Sequence, residues 1–180
     1  MAGKQEKVQS MQSPSIASSA SKETSPVPQS PAAATLKKIQ ALVEQERHQE
    51  AFDLSNRNST ADPMIKNARG VCLMRMRQSA QAVRVFRELN LMGGGITLRP
   101  DVPAIFKTNY ATALFLSGNV AGCCDVLHEL RNHPHPRVAE LREEIAKWKR
   151  GLSLLQRLGW GLGVQPDRPV TADFVPGDFE

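Results

Sequence analysis

A chain of 180 residues has room for one modest domain and a tail, not for two domains. Hydrophobic residues make up an ordinary 41% but aromatics only 5%, so small aliphatic side chains must do most of the packing, which favours helix-on-helix layers over a β-sandwich. The formal charge of +5 permits weak attraction to acidic partners without establishing nucleic-acid binding.

Cys72, Cys123 and Cys124 cannot build a disulfide framework, and the adjacent pair would point about 100° apart on a helix. They read as small buried thiols kept reduced in a cytosol-like compartment, which predicts a cytoplasmic protein. The start Met1-Ala2-Gly3-Lys4 leads into polar sequence and speaks against a secretory signal. No apolar run approaches the roughly 18 residues of a spanning helix, so no membrane partner is expected.

Residues 1–31 are rich in Ser, Pro, Ala, Gln and Lys and carry almost no large apolar side chains. Such a segment cannot bury enough surface to offset its ordering entropy and is expected to be a disordered leader. The recurring Ser13-Pro14, Ser25-Pro26 and Ser30-Pro31 leave open a phosphorylatable or partner-binding tail.

Helical periodicity begins near Ala32. Leu36, Ile39, Leu42 and Val43 share one face, and after a polar hinge at Arg47-His48 come Ala51, Phe52 and Leu54. Asp62-Pro63 closes this pair, since proline cannot continue a helix. A second pair follows from Asn67 to Leu89. Ala68, Val71, Cys72 and Met76 lie on its first helix, Ala82, Val83, Phe86 and Leu89 on its second, and Arg77-Gln78-Ser79 forms the hinge. Gly70 and Ala82 are small where two helices pack closely, and Phe86 is the wedge between them.

A third pair runs from Asn109 to Leu130. Ala111 stands for Gly70, Leu114 for Leu73, Cys123 for Ala82, Leu127 for Phe86 and Leu130 for Leu89, with Gly118-Asn119 as the turn. Aligning Ala51 with Ala82 puts Ile39 opposite Gly70 and Ser55 opposite Phe86. The copies stand 31 and 41 residues apart, against about 34 in a regular repeat. The surplus lies in Asn90–Pro103, where Gly93-Gly94-Gly95, Pro100 and Pro103 mark a flexible insertion. A phosphate-cradle reading fails there, because no Gly-Lys-Ser/Thr follows and no strand precedes.

One regular helix is predicted from Arg137 to about Leu158, with Val138, Leu141, Ile145, Trp148, Leu152 and Leu155 on a narrow apolar stripe. It is read as the cap of the stack, with a dimeric seam as the alternative. Gly159-Trp160-Gly161-Leu162-Gly163 ends that helix. Residues 164–180, with Pro166, Pro169 and Pro176 between Val170, Phe174, Val175 and Phe179, read as an extended arm lying on the helical body.

The order of small and large residues in the second and third pairs resembles the tetratricopeptide repeat, whose signature places Gly, then a large residue, then Ala-x3-Phe. The resemblance covers about Ala32 to Arg150. It implies an all-α, helical-hairpin solenoid of three tetratricopeptide-like pairs with a C-terminal capping helix. The chain then divides into the leader 1–31, a helical domain 32–158 and the arm 159–180.

No catalytic signature accompanies this pattern, so no enzymatic activity and no cofactor are expected. His133-Pro134-His135-Pro136 lacks the further ligands of a metal site and reads as a prolyl turn. The basic residues are scattered, and Trp148 between Lys147 and Lys149 falls on the apolar stripe, which argues against nucleic acid as the main partner. An RNA-associated protein stays the third reading, after an oligomerising structural subunit that uses residues 138–155. The leading expectation is a non-enzymatic scaffold or adaptor that holds a peptide or helix of another protein, since the resemblance implies a concave groove lined by the first helix of each pair. By register that groove carries Leu36, Gln40, Val43 and Glu44, then Asn67, Val71, Met74 and Arg75, then Thr108, Thr112, Phe115 and Leu116.

Overall fold

Five segments begin with a residue that satisfies the orphan amides of a first helical turn. Ser30 accepts from the Ala33 amide, Asp62 from those of Met64 and Ile65, Asn119 from that of Gly122, His135 from that of Arg137 and Ser153 from that of Gln156. Pro31, Pro63 and Pro136 sit just inside three of these starts, where a missing N–H costs nothing. In the computed structural model, which describes residues 30–58, 61–93 and 95–179, these signals open five of eight helices. The helices are α1 (Pro31–Glu44), α2 (His48–Arg57), α3 (Pro63–Arg75), α4 (Ser79–Asn90), α5 (Ala104–Leu116), α6 (Val120–Glu129), α7 (Pro136–Arg150) and α8 (Leu154–Gly161). Residues 1–29, nearly all of the expected leader, lie outside the described residues.

Helices α1 to α6 form three hairpins, each closed by the same turn. Glu46, Arg77 and Gly118 hold the left-handed position at φ 60°, 61° and 85°. In each hairpin that residue's amide donates three residues back, to Val43, Met74 or Phe115, and the next amide donates five back, to Leu42, Leu73 or Leu114. This is a Schellman ending repeated three times, at the 31- and 41-residue spacings found in the sequence. The short connections force the two helices of each pair to run antiparallel. Successive pairs stack so that α1, α3, α5 and α7 touch in a row, with α2, α4 and α6 packed behind them. The arrangement is all-helical and solenoid-like. Among the described residues the only extended pairing is a single antiparallel bridge between Leu91 and Leu98.

That bridge orders the insertion between α4 and α5. The Met92 amide donates to Thr97 and the Arg99 amide to Asn90, while the Asn90 side chain donates to the carbonyls of Phe86 and Phe106. A buried asparagine therefore ties the end of α4 to the start of α5 across the glycine-rich loop.

Two apolar clusters make the core. The smaller gathers Ile39, Val43, Ala51, Ile65, Ala68 and Cys72 from α1 to α3, and the larger runs from Val71 through Phe86, Leu114 and Leu127 to Trp148 and Leu152. At the tightest crossing a Cβ placed on Gly70 would lie 2.7 Å from two carbons of the Phe86 ring. The equivalent positions are Ala111 and Leu127 in the third pair and Ile39 and Ser55 in the first, all buried. The large residue thus sits on the first helix in copy one and on the second helix in copies two and three, which is how a closely packed site tolerates opposite choices.

The single helix expected over residues 137–158 is two helices. Ser153 and Gln156 make a reciprocal capping box that restarts the chain as α8. Gly151 ends α7 where the Arg168 guanidinium presses on it and donates to its carbonyl. Val138, Leu141, Ile145, Trp148 and Leu152 are buried as the stripe required, but Leu155 is 81% exposed because the break turns it to solvent. Gly159, Trp160 and Gly161 accordingly lie within α8, and Gly163 at φ +82° makes its terminal turn. Trp160 packs edge-on to Trp148 at 5.3 Å.

The size match at the second crossing is testable. Gly70→Ala is expected to destabilise the fold by about 1–3 kcal/mol, the usual cost of overpacking a filled core. Phe86→Leu, which recreates the Ala111–Leu127 pair, should recover most of the loss made by Gly70→Ala. Chemical denaturation of both single variants and the double variant measures the coupling; additive losses would show that the two side chains do not share one space.

Candidate functional site

The row α1, α3, α5, α7 forms a groove, and the C-terminal arm lies in it. After α8 the chain turns back along the body. Gln165 bonds with the Gly118 carbonyl and the Ala121 amide, and Asp173 pairs with Lys147 at 3.1 Å. Phe174 sits beneath the Arg137 guanidinium, 4.5 Å from the ring centre. From there residues 176–179 cross α3 and α5.

Two asparagines form the floor. Asn67 on α3 and Asn109 on α5 are wholly buried, and Asn109 Nδ2 donates to Asn67 Oδ1 at 2.9 Å. Asn109 also grips both main-chain groups of Asp178. Its Nδ2 donates to the Asp178 carbonyl at 2.7 Å, and its Oδ1 accepts from the Asp178 amide at 3.0 Å. Asn67 Nδ2 reaches the same carbonyl at 3.5 Å. A side-chain amide here replaces the strand that would otherwise pair with an extended backbone.

Two arginines flank the floor. Arg75, at the end of α3, donates from Nε to the Pro176 carbonyl at 2.5 Å and from Nη2 to the Gly177 carbonyl at 3.0 Å. Arg137, in the first turn of α7, takes the Asp178 carboxylate in a two-pronged pair at 3.1 and 2.9 Å. Burial lowers the Arg75 pKa, Asp178 opposes that shift, and the Arg137 charge adds to it. Burial also pulls Arg137 down, but hydrogen bonding and attraction to Asp178, joined by Glu140, outweigh it and leave Arg137 raised. The slot therefore sets two guanidinium groups against two carboxylates, Asp178 from the arm and Glu140 on α7 itself, which accepts from Arg137 Nη1 at 2.5 Å.

Gly177 is fitted to the floor as closely as the asparagines are. Its φ is +84°, and a Cβ there would stand 2.8 Å from Val71 and 2.9 Å from Met74. Phe179 packs against both apolar clusters. Beside it a cleft of about 720 Å³ stays open between α1 and α7.

The expected groove residues fall into three groups. Asn67, Val71, Met74 and Arg75 lie beneath or beside the arm. Gln40, Val43 and Glu44 line the open cleft. Thr108, Thr112 and Phe115 are fully buried, and the two threonine hydroxyls donate to Ala104 and Thr108 carbonyls on their own helix. Leu36 and Leu116 pack against the core. Sequence reasoning missed Asn109 and Arg137. Repeat equivalence pairs Asn67 with Thr108, but the lateral contact between α3 and α5 is offset by one residue, and only the folded row shows it. Arg137 follows Pro136 at a helix start, and nothing in its neighbourhood signals a partner some 40 residues away.

The other chemistry-bearing residues serve local structure. The His133 Nδ1 accepts from the His135 amide and the His135 Nδ1 from the Arg137 amide, which stabilises the turn into α7. Among the described residues no group of three or more His, Cys, Asp or Glu could hold a metal ion. All three cysteines are free, and burial pushes the Cys72 thiol up to about 12, with Cys123 and Cys124 also raised by burial. A raised thiol pKa means little thiolate near neutrality. In the native protein at pH 8 a disulfide reagent should label no more than the partly exposed Cys124, and slowly. All three should react after denaturation; fast labelling of Cys72 in the native state would contradict its burial.

Comparison with family models, with curated proteins and with solved structures finds no match.

Proposed function

We propose that this chain is a non-enzymatic binding module of the tetratricopeptide-like kind, whose groove takes an extended segment of another protein. One observation carries the reading: Asn67, Asn109 and Arg75 spend their polar groups on the main chain of the segment they hold, not on its side chains. Main-chain contacts of this sort suit a peptide ligand, because every peptide offers them in the same spacing. The three recurrent Schellman turns and the exchange of bulk at the hairpin crossings support the repeat assignment. Free thiols support a reducing, cytoplasmic setting. No helix among the described residues is long and apolar enough to cross a membrane.

Selection of linear peptides displayed against the full chain tests the reading. The arm is first displaced by Gly177→Val, so that loss of the arm does not offset loss of the peptide. In that chain, selected peptides should lose roughly tenfold in affinity, or more, when Asn109→Ala is added, since removing a two-bonded amide partner costs about 1–2 kcal/mol. Equal affinity for a variant shown to stay helical would place the binding site off the groove.

A homo-oligomeric seam is the second reading, and one observation favours it. Leu154, Leu155, Leu158 and Leu162 stand 83%, 81%, 64% and 77% exposed on and just after α8. Of the stripe that was expected to supply such a seam, Val138 to Leu155, every member but Leu155 is spent within the chain. Sedimentation of the wild type and of Leu158→Asp decides it: a larger species that the variant disperses supports the seam, and a wild-type monomer removes it.

A further inference from the structure

The contacts between groove and arm divide into two kinds. The Asn67, Asn109 and Arg75 bonds to main-chain groups fix an extended course and a direction. Three side-chain positions add selectivity. At Gly177 the floor of Val71 and Met74 leaves no room for a Cβ, and the backbone takes a conformation that other residues rarely adopt. At Asp178 the Arg137 fork fits a planar carboxylate with two parallel bonds. At Phe174 and Phe179 aromatic rings meet, respectively, the face of Arg137 and the seam between the two core clusters.

Resting on the groove reading above, we propose that the groove is specific for an extended peptide of the form aromatic–x–x–Gly–Asp–aromatic. Residues 174–179 are a resident copy of that ligand, and a partner segment of the same chemistry must displace them to dock. Charge argues for such a partner over a neutral one. When the arm leaves, Arg137 keeps Glu140 on Nη1 but its Nε and Nη2 lose the two oxygens they grip, and a carboxylate brought to the same place by the incoming segment restores that fork. Shape argues the same way, because any residue but glycine at the centre collides with α3.

The probe is a fluorescein-labelled synthetic peptide of residues 170–179, titrated into the full chain and into full chains that carry a released arm. Gly177→Val releases the arm by collision with Val71 and Met74. Asp178→Lys, which breaks the Arg137 fork and leaves the helices untouched, is a second release variant, and circular dichroism checks the helical body of each. The released chains should bind the peptide at least tenfold tighter than the wild type does. A peptide in which Asp178 is replaced by Lys should bind the released chains at least tenfold more weakly than the unaltered peptide. Equal binding of the unaltered peptide by wild-type and released chains would overturn the resident-ligand proposal and leave the groove reading standing. Tolerance of the altered peptide would overturn the stated specificity alone. Absence of binding to any helical chain would overturn both the proposal and the groove reading. A wild-type dimer that Gly177→Val converts to monomer would show the arm seated on a second copy, against the proposal.

Discussion

Two side-chain amides with no access to water set the terms for this fold. A buried amide without partners costs about 1–3 kcal/mol by mutational measures. Asn67 and Asn109 lie in the middle of the first-helix row, beside Thr108 and Thr112, whose hydroxyls are already bonded to their own helix. They satisfy part of each other's demand, and the backbone at Asp178 supplies the rest. The arm is thus a structural member of the domain while it stays in place. It closes the polar floor, packs Phe179 against both apolar clusters and gives Arg137 a second carboxylate beside Glu140.

The floor is where it is because the hairpins stack in register. Each pair ends its first helix with the same left-handed residue and the same two carbonyl-directed amides, so each first helix arrives on the same side of the stack. Closeness comes from one small residue opposite one large one, Gly70 under Phe86 and Ala111 with Leu127, with the order reversed at Ile39 and Ser55. That exchange also explains why the first copy looks degraded in sequence. Its pattern departs from the others residue by residue, while one small and one large residue and the burial of both positions are kept.

The sequence made the pairs legible because their determinants are local: caps, hinges, and small and large residues a few positions apart. The break between α7 and α8 was legible too, in Ser153-x-x-Gln156, but the apolar stripe ran through it and a longer helix fitted the stripe as well. The stripe's last member, Leu155, shows the cost of following periodicity past a cap. The groove was legible at the level of helix faces, which located Gln40, Glu44, Val71, Met74 and Arg75. Its polar centre was not, because Asn109 meets Asn67 through a stacking offset, and Arg137 meets Asp178 across a chain separation that carries no periodic signal. The arm itself could be read as apolar, extended and packed on the body, but nothing local says on which face.

Tethering decides how strongly such an arm competes. A segment joined by a short linker presents itself at an effective concentration on the order of millimolar. An arm that binds with an intrinsic dissociation constant of about 0.1 mM would therefore fill its groove roughly nine-tenths of the time and weaken an outside ligand about tenfold. The arm need not bind tightly to act. Its contacts fit that regime: a few main-chain bonds, one partly buried ion pair and two aromatic rings, with Gln165, Arg168 and Asp173 holding the linker against α6 and α7. Those linker contacts shorten the free tether and raise the effective concentration further, while a partner that loosens them lowers it. Occupancy of the groove then depends on residues that never touch the groove, since the arm and its anchor on α7 share one short stretch of chain.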